Sequence, residues 1–137
     1  MEKFIISDDK TKLDLNLVHS FLAESYWAKS RTIEEVKLSI ENSICFGIYF
    51  EENQVGFARV LTDYVTIAYL MDVFVIDDFR GRGLSKILLK KIFEDNRFNS
   101  VKKWMLATLD AHDLYKKFGF NNISSPEKLM EKILLSQ

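Results

Sequence analysis

Arg80-Gly81-Arg82-Gly83 is the stretch whose residue types and spacing point most directly to chemistry. Its two glycines give the backbone freedom that side-chain-bearing residues reach only at a cost. Val73–Ile76 before it alternates with the period of a strand, and Asp77-Asp78 breaks the run. Leu84, Leu88 and Ile92, with Ile87 beside them, recur at helical spacing, so a helix is expected from about Gly83 to about Asp95. A helix opening on such a turn combines unfilled N–H groups, a positive dipole end and two guanidiniums, which suits a phosphate or pyrophosphate. A Walker loop is excluded because no Gly-Lys-Ser/Thr ending follows. A dinucleotide fingerprint is excluded because its third glycine position holds Lys86.

Asp72 is the only charged residue between Val65 and Ile76. A carboxylate inside an apolar strand must be paired or titrate high, so it reads either as a proton acceptor or as a member of a structural ion pair. Strand alternation puts it on the face of Leu70 and Phe74. Cys45, the one cysteine, sits in the apolar run Ile44–Phe50 and reads as a small buried hydrophobe. A single cysteine leaves no intramolecular disulfide and no cysteine-based zinc site.

The turn resembles the acyl-CoA motif of the GNAT-type N-acetyltransferase superfamily, Arg/Gln-x-x-Gly-x-Gly/Ala, with Arg80, Gly83 and Ser85 on its fixed positions. Ser85 stands where Gly or Ala is usual and is still small. A second segment, Asp110–Phe120, resembles the family's later signature Ala-x-x-x-Tyr-x-x-x-Gly-Phe through Ala111, Tyr115, Gly119 and Phe120. The motifs come in the family's order, about thirty residues apart. Thr108 occupies a place where the family often has Asn. The resemblance is weak before Ile44 and after Asn122.

What the resemblance implies is an α/β (α+β) acyltransferase fold with a mixed, mostly antiparallel sheet flanked by about four helices. It implies acetyl-CoA as cosubstrate, held by Arg80, Gly81, Arg82, Gly83, Leu84 and Ser85, with Thr108 a further contact. The strand before the turn would splay from its neighbour and leave the backbone of Val73 and Val75 to pair with pantetheine, as an added strand would. Tyr115 matches the family's general acid. A phenol near ~10 protonates a thiolate whose acid is near ~8.5 only in concert with C–S cleavage or with help from the site. Asp72 is the candidate base, directly or through water. His112, in the first turn of a short helix, reads more readily as a solvent-exposed residue. The segment Glu24–Arg31 would wall the acceptor side. Tyr26 and Trp27 are large aromatics in this polar stretch, covering a ligand or packing as a lid. Arg31 could pair with a carboxylate on the acceptor, or with Glu34 or Glu35. The acceptor would be a primary amine of a small molecule or peptide, and the resemblance leaves room for a homodimer. A non-catalytic acyl-CoA sensor is the competing reading.

Composition narrows the field further. The chain has 137 residues, enough for a single domain over 1–137, with 47% hydrophobic and 28% charged residues. The formal net charge of −1 argues against a nucleic-acid module, as does the lack of interleaved basic and aromatic residues. No signal peptide and no bilayer-spanning apolar run is evident, so no membrane association and a cytoplasmic location are expected, with no metal site.

The elements that must position these groups follow from patterning. Lys3–Ser7 reads as a first strand, and Leu15, Val18 and Leu22 as a helix ending near Tyr26–Ala28. Thr32 and Glu35 form a capping box for a second helix. Ile44–Phe50 and Gln54–Leu61 read as a hairpin through Glu51-Glu52-Asn53, and Thr66–Ile76 as the strand feeding the turn. Val101–Thr108 is expected as a strand, Ala111–Lys117 as a helix and Phe118–Asn121 as the start of another strand. Leu129–Leu135 could be a helix begun at Ser125-Pro126-Glu127 or an edge strand.

Overall fold

Short-range signals decide where each element begins in the computed structural model, which describes residues 3–134. Asp14 accepts the Leu17 N–H at 3.0 Å and starts α1, Leu15–Ala23. Thr32 and Glu35 close the expected capping box (3.1 and 2.9 Å) and start α2, Ile33–Glu41. Asp63 gathers the N–H groups of Val65 and Thr66 and turns the chain into the third hairpin strand.

Five strands form one sheet in chain order: β1 Phe4–Ser7, β2 Ile44–Phe50, β3 Asn53–Thr62, β4 Ala68–Val75 and β5 Trp104–Leu106. Neighbours β1 to β4 run antiparallel, and β4–β5 is parallel. The crossover between them carries α3, Leu84–Phe93, and α4, His112–Lys116, follows β5. The expected mixed, mostly antiparallel sheet with four α-helices is what forms among the described residues. Val18 and Leu22 of α1 and Val36 and Ile40 of α2 bury one face of the sheet over Phe57 and Phe74. Leu84, Leu88, Leu89 and Ile92 of α3 bury the other over Ile48, Val55, Ala58, Val60 and Leu70.

The register of β3 on β4 passes from Phe57↔Phe74 to Arg59↔Met71, so Ala58 faces Asp72 and Val73 together. This is a β-bulge, and Asp72 takes φ 56° to make it. The bulge corrects the alternation argument. Leu70 packs with α3, whereas Phe74 packs with α1 and α2. Asp72 therefore does not share one face with both.

Four further expectations are corrected. Helix α1 stops at Ala23, because Ser25 bonds back to the Leu22 carbonyl (2.7 Å) and receives the Ala28 N–H (3.1 Å), folding the next residues into turns. The expected strand Val101–Thr108 narrows to Trp104–Leu106. Phe118–Asn121 is not a strand. Gly119 at φ 92° lets Phe120 N–H reach the Tyr115 carbonyl and Gly119 N–H the Lys116 carbonyl, the bond pair of a Schellman helix end. Phe118 and Phe120 instead pack on Phe93, with centroids 5.4 and 5.6 Å away. Beyond them the described residues hold only one 3-10 turn, Pro126–Lys128, with Pro in its first turn. The tail element expected over Leu129–Leu135 is neither helix nor strand through Leu134, and Leu135 lies outside the described residues.

Candidate active site

The glycine-arginine turn is built as its residue types require. A 3-10 turn, Asp77–Phe79, leads to Arg80. Gly81 (φ 79°) and Gly83 (φ 76°) then take left-handed conformations. Gly83 is the cap of α3 and offers no side-chain acceptor, so the first-turn N–H groups of this helix stay turned outward. Nothing lies within 4 Å of a Cβ built on either glycine. Their role is the backbone conformation and an open approach, not a tight fit against protein. Arg80 Nη1 meets Asp77 Oδ1 at 3.1 Å, and Arg82 Nη2 donates to the Asp78 carbonyl at 3.2 Å while its guanidinium lies 4.7 Å over Phe79.

Strand β4 loses its parallel neighbour early. Pairing with β5 covers Ala68↔Trp104, Tyr69↔Met105 and Leu70↔Leu106, and β5 then ends while β4 runs on to Val75. The opening is a cleft of about 2040 Å³. Val73, Asp72, Arg80, Thr108 and Tyr115 line it, and so do Tyr26, Trp27 and Arg31 from the segment between α1 and α2. One cleft thus gathers expected residues from four separate parts of the sequence. Gly81, Arg82, Gly83, Leu84 and Ser85 are not in its wall and stand beyond Arg80. Val75 departs from expectation, since its carbonyl already accepts Arg80 Nε at 3.0 Å. Glu131–Leu134 of the tail also line the cleft, a contribution with no signal in the sequence beyond an apolar end.

Tyr115 is buried on α4, edge-on to Phe120 at 5.9 Å. Burial pushes its hydroxyl up to about 12, so it stays protonated across the ordinary pH range. Thr108 Oγ1 accepts the Ala111 N–H at 3.0 Å and shapes the turn into α4. His112 is exposed and outside the cleft wall.

Asp72 is the centre of a buried polar cluster. Oδ1 accepts Trp27 Nε1 at 2.9 Å, and Oδ2 accepts Arg31 Nη1 at 2.7 Å and Arg59 Nε at 3.0 Å. The side chain is 1% exposed. Of the two readings of this residue, the geometry matches the ion pair: both oxygens are occupied, two of the three donors are cations, and a proton added here would break those pairs. Arg31 also finds its protein partner in Asp72 and not in Glu34 or Glu35, and Glu35 is spent on the Thr32 cap. Trp27 is a ligand of the cluster as well as a wall, and Tyr26, 61% exposed, stands edge-on to it at 5.2 Å. Arg59 is the member that patterning missed. It is the single charge in Gln54–Leu61, as Asp72 is in the next strand, and two lone opposite charges on neighbouring strands are a readable pair.

Burial pushes the Cys45 thiol up to about 11, which keeps it an inert apolar group. Among the described residues no cluster of His, Cys, Asp or Glu could hold a metal ion, and no helix is long and apolar enough to cross a membrane.

A sheet opened beside a glycine-arginine helix start is the architecture of an acyltransferase fold. A crystal structure assigned to the GNAT family from Xanthomonas campestris pv. campestris superposes with TM-score 0.94 at 40% identity, covering 98% of this chain and 95% of that one. The acetyltransferase (GNAT) family model matches residues 14–120, and the chain belongs to that family. It is 32% identical over 107 residues to the uncharacterized N-acetyltransferase ycf52 of Gracilaria tenuistipitata var. liui, covering 74% of this chain and 57% of that protein. The chain therefore spans little more than half the length of that relative. The thialysine N-epsilon-acetyltransferase of Sus scrofa is 33% identical over 63 residues, 43% of this chain and 37% of that protein.

Proposed function

We propose that this chain transfers an acetyl group from acetyl-CoA to a primary amine of a small molecule or peptide by direct attack. The observation that carries the reading is the cleft itself. It opens where β5 ends, it reaches Arg80 at the head of the turn that leads into α3, and it contains Val73 and Tyr115 together. The turn Arg80–Ser85 fits a pyrophosphate through dipole, N–H groups and guanidiniums. The free edge of β4 at Val73 fits an extended amide-bearing arm and can polarise a thioester carbonyl. Arg80 holds the Val75 carbonyl at 3.0 Å, and it would have to leave that contact to reach a phosphate.

The chemistry needs a neutral amine, a donor to the developing oxyanion and a proton for the leaving thiolate. Tyr115 is the donor we assign to the thiolate. Its hydroxyl holds its proton at any working pH, and the transfer follows charge build-up on sulfur as the C–S bond breaks. Asp72 we assign to positioning. Its carboxylate is committed to Trp27, Arg31 and Arg59, so the ammonium proton leaves through water in the open cleft. A relative named for acetylating an ε-amine supports a primary amine as acceptor.

Thiol release from acetyl-CoA against a panel of amines, polyamines, amino acids and aminoglycosides tests the reading. Release with at least one amine supports it. Acetyl-CoA binding without release from any would leave a binding module. Gly83→Asp sets a negative charge against the pyrophosphate, and a folded variant with unchanged acetyl-CoA affinity by calorimetry would remove the turn from the site.

A further inference from the structure

We infer that the acceptor carries a carboxylate a few bonds from its reactive nitrogen, and that Arg31 recognises it. The inference rests on the acetyl-transfer reading above. Its basis is an imbalance in the buried cluster, where one carboxylate, Asp72, faces two guanidiniums, Arg31 and Arg59. The side chains are 1%, 14% and 7% exposed. One positive charge is left over where the cluster meets the cleft.

The two arginines differ in what remains unspent. Arg59 donates Nε to Asp72, Nη1 to Ser43 Oγ at 3.0 Å and Nη2 to Met71 Sδ at 3.3 Å, and it does not line the cleft. Arg31 does line the cleft, and only its Nη1 has an acceptor among the described residues. A guanidinium carries five N–H donors in a planar fork matched to a carboxylate. The acidic side chains of the cleft do not complete it. Asp77 pairs with Arg80, and Glu24, Asp78, Asp110 and Glu131 are exposed and make no pair with Arg31. Trp27, which shares Asp72 with Arg31, and Phe21, stacked on Phe74 at 4.0 Å, add apolar surface to the same cleft, where charge pairing is less screened than in bulk water.

Distance along the chain sets the spacer. Arg31 is bonded to Asp72, and the next residue is Val73, whose backbone would face the thioester. Consecutive Cα atoms are about 3.8 Å apart, and the Asp72 side chain with its 2.7 Å contact to Arg31 adds to that reach. An amine attacking at Val73 and a carboxylate on Arg31 therefore fit the two ends of one amino acid, with β- and γ-amino acids spanning more of the distance than α-amino acids. A polyamine would bring like charge to the same wall.

The test uses the wild-type chain and matched probes: common L-amino acids, β-alanine and γ-aminobutyrate, each against its primary amide, with spermidine as the polycation. Thiol release should show kcat/KM about 10- to 10²-fold higher for the preferred acid than for its amide, the range for a hydrogen-bonded charge pair. The α-amine of an amide is less often protonated than that of the acid, so intrinsic reactivity runs the other way and the preference is recognition. Arg31→Lys keeps a charge and loses the fork. It should narrow the acid-to-amide ratio while a thermal melt reports that the chain is folded. Equal kcat/KM for acid and amide, or preference for spermidine, overturns this inference alone. No release with any amine overturns the acetyl-transfer reading and this inference with it.

Discussion

The two ends of the proposed site are made in opposite ways. The end proposed for the cofactor is a contiguous turn of exposed residues around Gly81 and Gly83, with open space about both glycines. The end proposed for the acceptor is a buried knot of Trp27, Arg31, Arg59 and Asp72, drawn from three separate parts of the sequence and closed by hydrogen bonds. Local conformation sets the first and tertiary packing sets the second. A change at the turn should therefore cost affinity with little loss of stability, and a change in the knot should cost stability first.

The sharpest contrast is with Tyr115, which belongs to neither end. Tyr115→Phe keeps its packing and loses one proton donor, so kcat should fall about 10²- to 10⁴-fold with acetyl-CoA affinity retained. A stopped assay beside calorimetry checks both, and an unchanged kcat would return the residue to packing. Next in size is Asp72→Asn. Asn tolerates the left-handed φ of 56°, so the variant isolates charge from backbone strain. Two buried guanidiniums lose their counter-ion, and urea unfolding should show a loss of about 3–5 kcal/mol. Wild-type stability with abolished turnover would instead mark Asp72 as a chemical group. Gly83→Ala is milder. Its Cβ meets nothing, and only the φ of 76° is strained, for about 1–2 kcal/mol. Acetyl-CoA should still bind more weakly as the helix start shifts, which titration calorimetry reads.

The smallest effect lies on the alkaline side. Burial raises Tyr115 and Tyr49 to about 12 against about 10 in the unfolded chain. A raised folded value means full stability below the unfolded value, lost as pH rises toward the folded one. Thermal midpoints should therefore decline between about pH 10 and pH 12. Tyr49 Oη is buried without a hydrogen-bond partner among the described residues, so Tyr49→Phe should shift stability at neutral pH by no more than about 1 kcal/mol and flatten the alkaline decline. Turnover should not change, in contrast to Tyr115→Phe.

What could be read from the sequence follows the same division. The turn, its helix and the Thr32–Glu35 cap depend on neighbouring residues, and their positions were legible. The assembled knot was not: the lone charges Arg59 and Asp72 on neighbouring strands hint at one pair, but nothing local joins to it Trp27, which stands 45 residues from Asp72. Alternation also failed at Asp72, since a bulge depends on how two strands register and not on either strand alone. Phe118–Asn121 reads as the start of a strand, but Gly119 ends a helix there instead.

The brief parallel pairing of β5 has a kinetic consequence. Strands β1 to β4 pair antiparallel in chain order, and two of the three pairs close through short turns. Strand β5 pairs over three residues only after a crossover through α3, so its loop entropy is met before much contact is gained. It should dock last when the chain folds and open first in the native state, and α4 leaves directly from it. Amide exchange at Trp104–Leu106 should outrun that of β2 and β3. Tyr115, on the helix that follows β5, should then feel that opening before the knot across the cleft does.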